Sequence, residues 1–215
     1  MTAETGVAAQ RPRYRYALLT NGAHFGCEVL QSLLKLQHPP ELLILPQYAP
    51  APELTPPGRE IVAATQHHQL EQLAQAIETG YAPASLQAQC ASLLRQRAID
   101  FILVACWPYL IDAVLIDSAA KAALNMHQSM LPDYRGPDTI AAQLADNQAR
   151  FGVSLHLMNQ RFDRGDIIAQ AELAEPVPNP TRSWLEQQCA RLGSKLFIDA
   201  LNGYDAGWRP LRQAD

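Results

Sequence analysis

Apolar positions along the chain alternate between short strand-like runs and longer helical stripes. Tyr14 to Thr20 is apolar and β-prone, and Asn21-Gly22 follows it at once. From Phe25 a helical period sets in, with Val29, Leu30, Leu33 and Leu34 on one face. Glu41 to Leu45 is a second short apolar run, closed on both sides by prolines. Strand, helix and strand at this spacing predict the opening of a parallel α/β sheet. Pro46 to Gly58 then carries Pro46, Pro50, Pro52, Pro56 and Pro57, which excludes a helix or a central strand and predicts an irregular surface excursion. Ile61 to Ile77 and Ser85 to Arg97 read as helices. Asp100 to Cys106 is an almost unbroken apolar run, as expected for a strand buried on both faces. Ala122 to His127, Gly152 to Met158 and Asp166 to Leu173 are further strands, Thr139 to Asn147 is a helix, and Thr181 to Leu201 is a long amphipathic helix.

In an open parallel sheet a ligand sits beyond the carboxyl ends of the strands. Three such ends carry notable residues here: Asn21-Gly22, Trp107 to Ile111, and Asn125 to Pro132. The order of the elements therefore points to one cleft.

With 215 residues the chain fits one domain with a proper core, and no internal repeat breaks it. Residues 1–12 are small and polar and read as a disordered tail, leaving residues 13–215 as the domain. A net charge of −4 without a dense Lys/Arg run argues against a nucleic-acid partner. No run approaches the ~20 apolar residues of a membrane span. Cys27, Cys90, Cys106 and Cys189 are scattered, without metal or disulfide spacing. They read as reduced thiols of a cytoplasmic protein, and Cys106 as a packed one.

The most informative segment is Asn125-Met126-His127-Gln128-Ser129-Met130-Leu131-Pro132-Asp133-Tyr134-Arg135-Gly136. In an extended strand Asn125 and His127 share a face, placing an amide beside an imidazole. Taken alone, the tripeptide fits local hydrogen bonding better than catalysis. The whole string resembles the N-x-H-P-S-L-L-P-x-Y-R-G signature of the folate-dependent formyltransferases, with Gln128 in the place of the usual proline. The resemblance continues through Gly152 to Met158 and ends in Phe162-Asp163-Arg164-Gly165-Asp166-Ile167-Ile168, similar to that family's L-D-x-G-x-I-I element. It runs from about Tyr14 to Glu175 and is sharp from Asn125 onward.

The resemblance implies a single Rossmann-like α/β domain, with a mostly parallel twisted sheet flanked by helices. It also implies formyl transfer from 10-formyltetrahydrofolate to a primary amine, with Asn125, His127 and Asp163 as the catalytic set. Asn125 and His127 would donate hydrogen bonds to the formyl oxygen, while Asp163 would hold a water and keep His127 protonated. Trp107, Tyr109, Leu110, Ile111 and Phe162 would enclose the folate, although Leu110 and Ile111 suit core packing as well. Asn21, Gly22, Arg135 and Gly136 are the candidates for the acceptor, and no metal is implied. His156 reads equally as a cleft residue and as a structural histidine.

The Asn21 to Cys27 loop lacks the glycine-rich phosphate cradle of the glycinamide ribonucleotide enzymes. The sequence printed here also stops before the RNA-binding barrel of the tRNA formyltransferases. Both departures direct the expectation to a small-molecule amine, an amino sugar among them. Two alternatives use the same residues: a hydrolase of 10-formyltetrahydrofolate, and a folate-binding protein of this fold without turnover. An exposed apolar stripe on the Thr181 to Leu201 helix would mark a homodimer face.

Overall fold

The computed structural model describes residues 13–46, 78–82, 87–174 and 179–213. The expected tail at 1–12, nearly all of the proline-rich excursion and the expected helix at 61–77 lie outside these residues.

Among the described residues seven strands form one sheet, in the order β3-β2-β1-β4-β5-β6-β7. They are β1 (Tyr16–Thr20), β2 (Leu42–Pro46), β3 (Glu78–Ala82), β4 (Phe101–Ala105), β5 (Ala122–His127), β6 (Gly152–Leu157) and β7 (Ile167–Glu172). The first five pair in parallel, and β6 runs antiparallel to both β5 and β7. The helices are α1 (His24–Lys35), α2 (Gln87–Gln96), α3 (Ala113–Ile116), α4 (Thr139–Ala145) and α5 (Arg182–Gly203).

Alternation along the central strands sends side chains into two cores, one on each face of the sheet. Tyr16 and Leu18 of β1, with Phe101, Leu103 and Ala105 of β4, pack with Phe25, Leu30 and Leu33 of α1 and Leu185, Cys189 and Phe197 of α5. Ala17 and Leu19, with Ile102 and Val104, pack with Cys90, Ala91 and Leu94 of α2 and Leu115 of α3. All five residues of β1, β2 and β4 are buried, which explains their unbroken apolar runs. The buried side of α5 is covered by α1 and the sheet, and Trp184 is its large apolar residue that stays in solvent.

Three elements were not legible beforehand. β3 is an edge strand whose sequence, ETGYA, has no apolar run, and its pairing with β2 defines it. α3 is a single turn, started by Asp112 accepting from the Leu115 N–H at 2.9 Å. After α5 the chain makes a 3-10 turn at Tyr204–Ala206 and returns to the sheet, where Leu211 bridges Ile167. Among the described residues no helix is long and apolar enough to cross a membrane.

The chain leaves β1 outward to β2 and β3, then returns to β4 on the other side. The strand order therefore reverses between β1 and β4, where a crevice opens at their carboxyl ends. The Asn21 N–H donates to the Cys106 carbonyl at 2.9 Å and ties the two ends together.

Candidate active site

Strand pairing builds the centre of the site. Asn125 of β5 lies opposite His156 of β6, and His127 lies opposite Ser154. A register irregularity between Leu155 and His156 marks where β6 changes its pairing with β7. Asn125 Nδ2 is 3.0 Å from His156 Nε2 and donates to Asp163 Oδ1 at 3.1 Å. The amide orientation follows from its partner, since the opposite flip would set Oδ1 against a carboxylate.

Asp163 arrives from the turn between β6 and β7 with φ at 51°, a left-handed conformation that aspartate tolerates better than most residues. Its Oδ2 accepts the Gly136 N–H at 2.8 Å. Its Oδ1 faces His127 Nδ1 at 3.5 Å and His156 Nε2 at 3.6 Å. One carboxylate thus touches the loop after β5, both histidines and Asn125. Gly165 makes the turn feasible, because a Cβ there would lie 1.6 Å from the Leu157 carbonyl oxygen. That close approach explains the glycine of the Asp-Arg-Gly sequence.

Hydrogen bonding settles the histidine tautomers. His127 Nε2 lies 2.8 Å from the Tyr134 carbonyl, so this nitrogen carries a proton and donates it. Likewise His156 Nδ1 donates to the Leu157 carbonyl at 2.8 Å, which frees Nε2 to accept from Asn125.

Here the structure corrects the expected role of His127. Its Nε2–H is taken by a main-chain carbonyl, so only Nδ1 faces the site. Burial holds the imidazole below its ordinary value, and the opposing pull of Asp163 and Tyr134 does not make up the difference. The ring therefore rests neutral, with the Nδ1 lone pair available, rather than protonated. For Asp163, burial raises the carboxyl, but contact with His156, the nearby His127 and the Gly136 N–H more than reverse this and hold it below its usual value. At neutral pH it is a carboxylate.

Around this group lies a cavity of about 560 Å³. Trp107, Tyr109, Leu110, Ile111 and Phe162 all line it, with Val104 and Met158 among the other lining residues. Ile111 also belongs to the core, whereas Leu110 and Phe162 stand half-exposed or more at the rim. Gln87 braces this wall, donating to the Leu110 carbonyl and accepting the Asp112 N–H. The buried indole Nε1 of Trp107 has no partner among the described residues.

Of the acceptor candidates, Asn21 and Gly136 line the cavity. Gly22 and Arg135 do not. Gly22 is buried beneath α1, its carbonyl accepting from the Cys27 thiol at 3.5 Å. Arg135 turns away and donates from Nε and Nη2 to Gln213 Oε1 at 3.1 and 2.9 Å.

The structure adds His156, Gln128, Phe25, Asp138 and Thr139 to the lining. Its place one strand across from Asn125 is what distinguishes His156, and that required the β5–β6 register. Gln128 was visible as a departure from the family pattern, and its buried Nε2 has no partner among the described residues. Cys106 also lines the cavity, but burial pushes its thiol up to about 12, with Glu186 adding to the effect. It is an inert packed thiol. Among the described residues no group of three or more His, Cys, Asp or Glu is placed to hold a metal ion.

Residues 56–201 match the family model described as formyl transferase. The chain is 27% identical over 125 residues to a methionyl-tRNA formyltransferase of Heliobacterium modesticaldum, covering 58% of this chain and 39% of that one. It is 30% identical over 149 residues to a methionyl-tRNA formyltransferase of Orientia tsutsugamushi, covering 68% and 48%. It thus spans less than half the length of these curated relatives. Among solved structures, glycinamide ribonucleotide transformylase 1 of Symbiobacterium toebii superposes with a TM-score of 0.69 at 16% identity, covering 94% of this chain and 96% of that one. HypX of Aquifex aeolicus, in complex with tetrahydrofolic acid, superposes with a TM-score of 0.62 at 14% identity, covering 94% and 28%. These likenesses establish the fold, and the family match over most of the chain establishes descent: the chain belongs to the formyl transferase family.

Proposed function

We propose that this chain transfers a formyl group from 10-formyltetrahydrofolate to the primary amine of a small molecule, in the cytoplasm. The observation that carries the reading is the convergence of Asn125, His127 and Gly136 on one carboxylate, Asp163, inside a cavity with an aromatic wall. Trp107, Tyr109, Ile111 and Phe162 offer flat and apolar surface for a pterin ring.

The folate supplies a formyl group whose carbonyl carbon an amine can attack. His127 Nδ1 takes a proton from the attacking nitrogen, and the resulting imidazolium is stabilised by the Asp163 carboxylate. That same Nδ1–H then provides a proton toward the folate nitrogen as the bond to the formyl carbon breaks. The two N–H bonds of the Asn125 amide go to Asp163 Oδ1 and His156 Nε2, and the formyl oxygen takes one of them by displacing the His156 contact. Such a donor is worth about 3 kcal/mol where charge develops.

Asn21, Gln128, Asp138 and Thr139 add hydrogen-bonding groups to the cavity lining, with one carboxylate that is paired with Arg182. This set suits a hydroxyl-bearing amine, such as an amino sugar, better than a phosphate ester.

The test is an absorbance assay of purified protein with 10-formyltetrahydrofolate and a panel of amines. Tetrahydrofolate released only with one amine, together with its N-formyl product, is the expected result. Formate released without any amine would identify a hydrolase, and folate binding without turnover would identify a binding protein.

A further inference from the structure

We propose that Gln213 is a positioning residue for Asp163, carried back to the site by the segment that follows α5. The inference rests on the reading of Asp163 as part of the transfer machinery. Beyond the 3-10 turn, Gly207 reverses the chain at a φ of 82°, and Trp208 anchors it by donating from Nε1 to the Ala200 carbonyl at 2.9 Å. Leu211 and Ile167 then exchange two main-chain hydrogen bonds at 2.8 and 2.9 Å. This short antiparallel bridge fixes where residue 213 falls.

The Gln213 side chain is fully engaged. Its Nε2 donates to the Asp163 carbonyl at 3.0 Å and to the Gly165 carbonyl at 2.6 Å. Its Oε1 accepts both contacts from Arg135. Two N–H bonds and two lone pairs are thus matched, a pattern that only a primary amide can supply.

The partners explain the consequence. Asp163 and Gly165 are the ends of the turn that aims the carboxylate, and Asp163 holds a left-handed backbone that its surroundings must maintain. Arg135 precedes Gly136, whose N–H binds Asp163 Oδ2. Gln213 therefore grips the carboxylate's own turn and the loop that donates to it. It does not line the cavity itself, so it acts through Asp163. Arg135, expected to contact the acceptor, is the other half of this clasp.

Gln213→Glu is the sharpest variant, since it keeps the Arg135 contact and sets oxygens against two carbonyls. Gln213→Ala removes all four bonds. In the full chain both variants are expected to lose about 10- to 100-fold in kcat, the scale of a misplaced catalytic group, with the folate KM little changed. In an Asp163→Asn background, Gln213→Ala should add no further loss. A second readout does not need turnover: the His127 ring, which faces Asp163 and His156, is titrated by NMR in each variant. Its midpoint should move down in pH with Gln213→Ala, in the same direction as with Asp163→Asn. Losses that multiply in the double variant, or an unmoved His127 titration, would overturn the proposal. If the wild-type protein forms no product from any acceptor, the functional reading fails while the titration still decides the role of Gln213. Should Gln213→Ala not fold, Gln213→Glu carries both measurements.

Discussion

His127 meets Asp163 with the opposite side of its ring from the one that is anchored. Nε2 donates to the Tyr134 carbonyl at 2.8 Å, and Nδ1 faces Asp163 Oδ1 at 3.5 Å. A neutral imidazole can satisfy the first contact and keep the second nitrogen free as a base. Protonation would turn that second contact into an ion pair. The pair is thus arranged to accept a proton during the reaction rather than to hold one beforehand.

A pH dependence follows, and its sign is fixed. Burial holds His127 below the ordinary value of 6.5, so the free base persists in the folded chain under mildly acidic conditions. As pH falls below 6.5 the unfolded chain takes up the proton first, and stability declines until the folded ring is also protonated. The low-lying Asp163 carboxyl contributes stability that is present above its unfolded value and lost only at more acidic pH, as it protonates in the fold. Thermal melts from pH 8 to 5 should therefore show a falling midpoint below 6.5, with a shallower slope for His127→Asn. The acidic limb of kcat/KM should have its midpoint below 6.5, and His127→Ala should lower kcat by about 10²–10⁴-fold. A loss of only a few-fold would remove His127 from the proton path.

Gly165→Ala tests the approach that aims Asp163. The added Cβ would sit 1.6 Å from the Leu157 carbonyl oxygen, a fixed atom at the end of β6. The turn has to move away, and the crowding should cost about 1–3 kcal/mol in urea unfolding. Because the displaced segment carries Asp163, kcat should fall even where the variant is fully folded. Unchanged stability and kcat together would show that the turn is tolerant of displacement.

The apolar runs made the sheet legible because β1, β2 and β4 are buried on both faces. Strand alternation likewise puts Asn125 and His127 on one face from the sequence alone. Asp163 was legible only through the family motif, since on composition alone Asp-Arg-Gly is an ordinary turn. Pairing across strands was not legible. The place of His156 opposite Asn125 depends on the β5–β6 register, and the contact of Gln213 with Asp163 spans a sequence separation of 50 residues. Arg135 shows the same limit: its position in the motif suggests the acceptor, whereas in the fold it donates to Gln213 from the far end of the chain. The edge strand β3 escaped because its backbone pairing, not an apolar pattern, defines it.

Phe162 allows the proposed folate contact to be tested apart from folding. It lines the cavity yet is 62% exposed, so its ring is available to a ligand without supporting the core. Phe162→Ala should leave the melting temperature nearly unchanged. It should weaken folate binding by about 3- to 10-fold, the scale of one lost aromatic contact. Isothermal titration with tetrahydrofolate checks this. A drop in stability with unaltered binding would move Phe162 from the ligand wall to the scaffold.

Gln128 offers a test of where the proposed acceptor lies. It follows His127 immediately, its carbonyl is pinned by Gln143 Nε2 at 2.8 Å, and its own buried Nε2 is unpartnered among the described residues. A buried donor left unpaired costs about 1–3 kcal/mol, which a ligand oxygen could recover once the side chain turns into the cavity it lines. Gln128→Ala should therefore raise the acceptor KM by about tenfold while leaving the folate KM alone. An acceptor analogue lacking one oxygen should lose affinity against wild type and little against the variant. If the folate KM rises instead, Gln128 faces the donor, and the acceptor contacts must be sought at Asn21, Asp138 and Thr139.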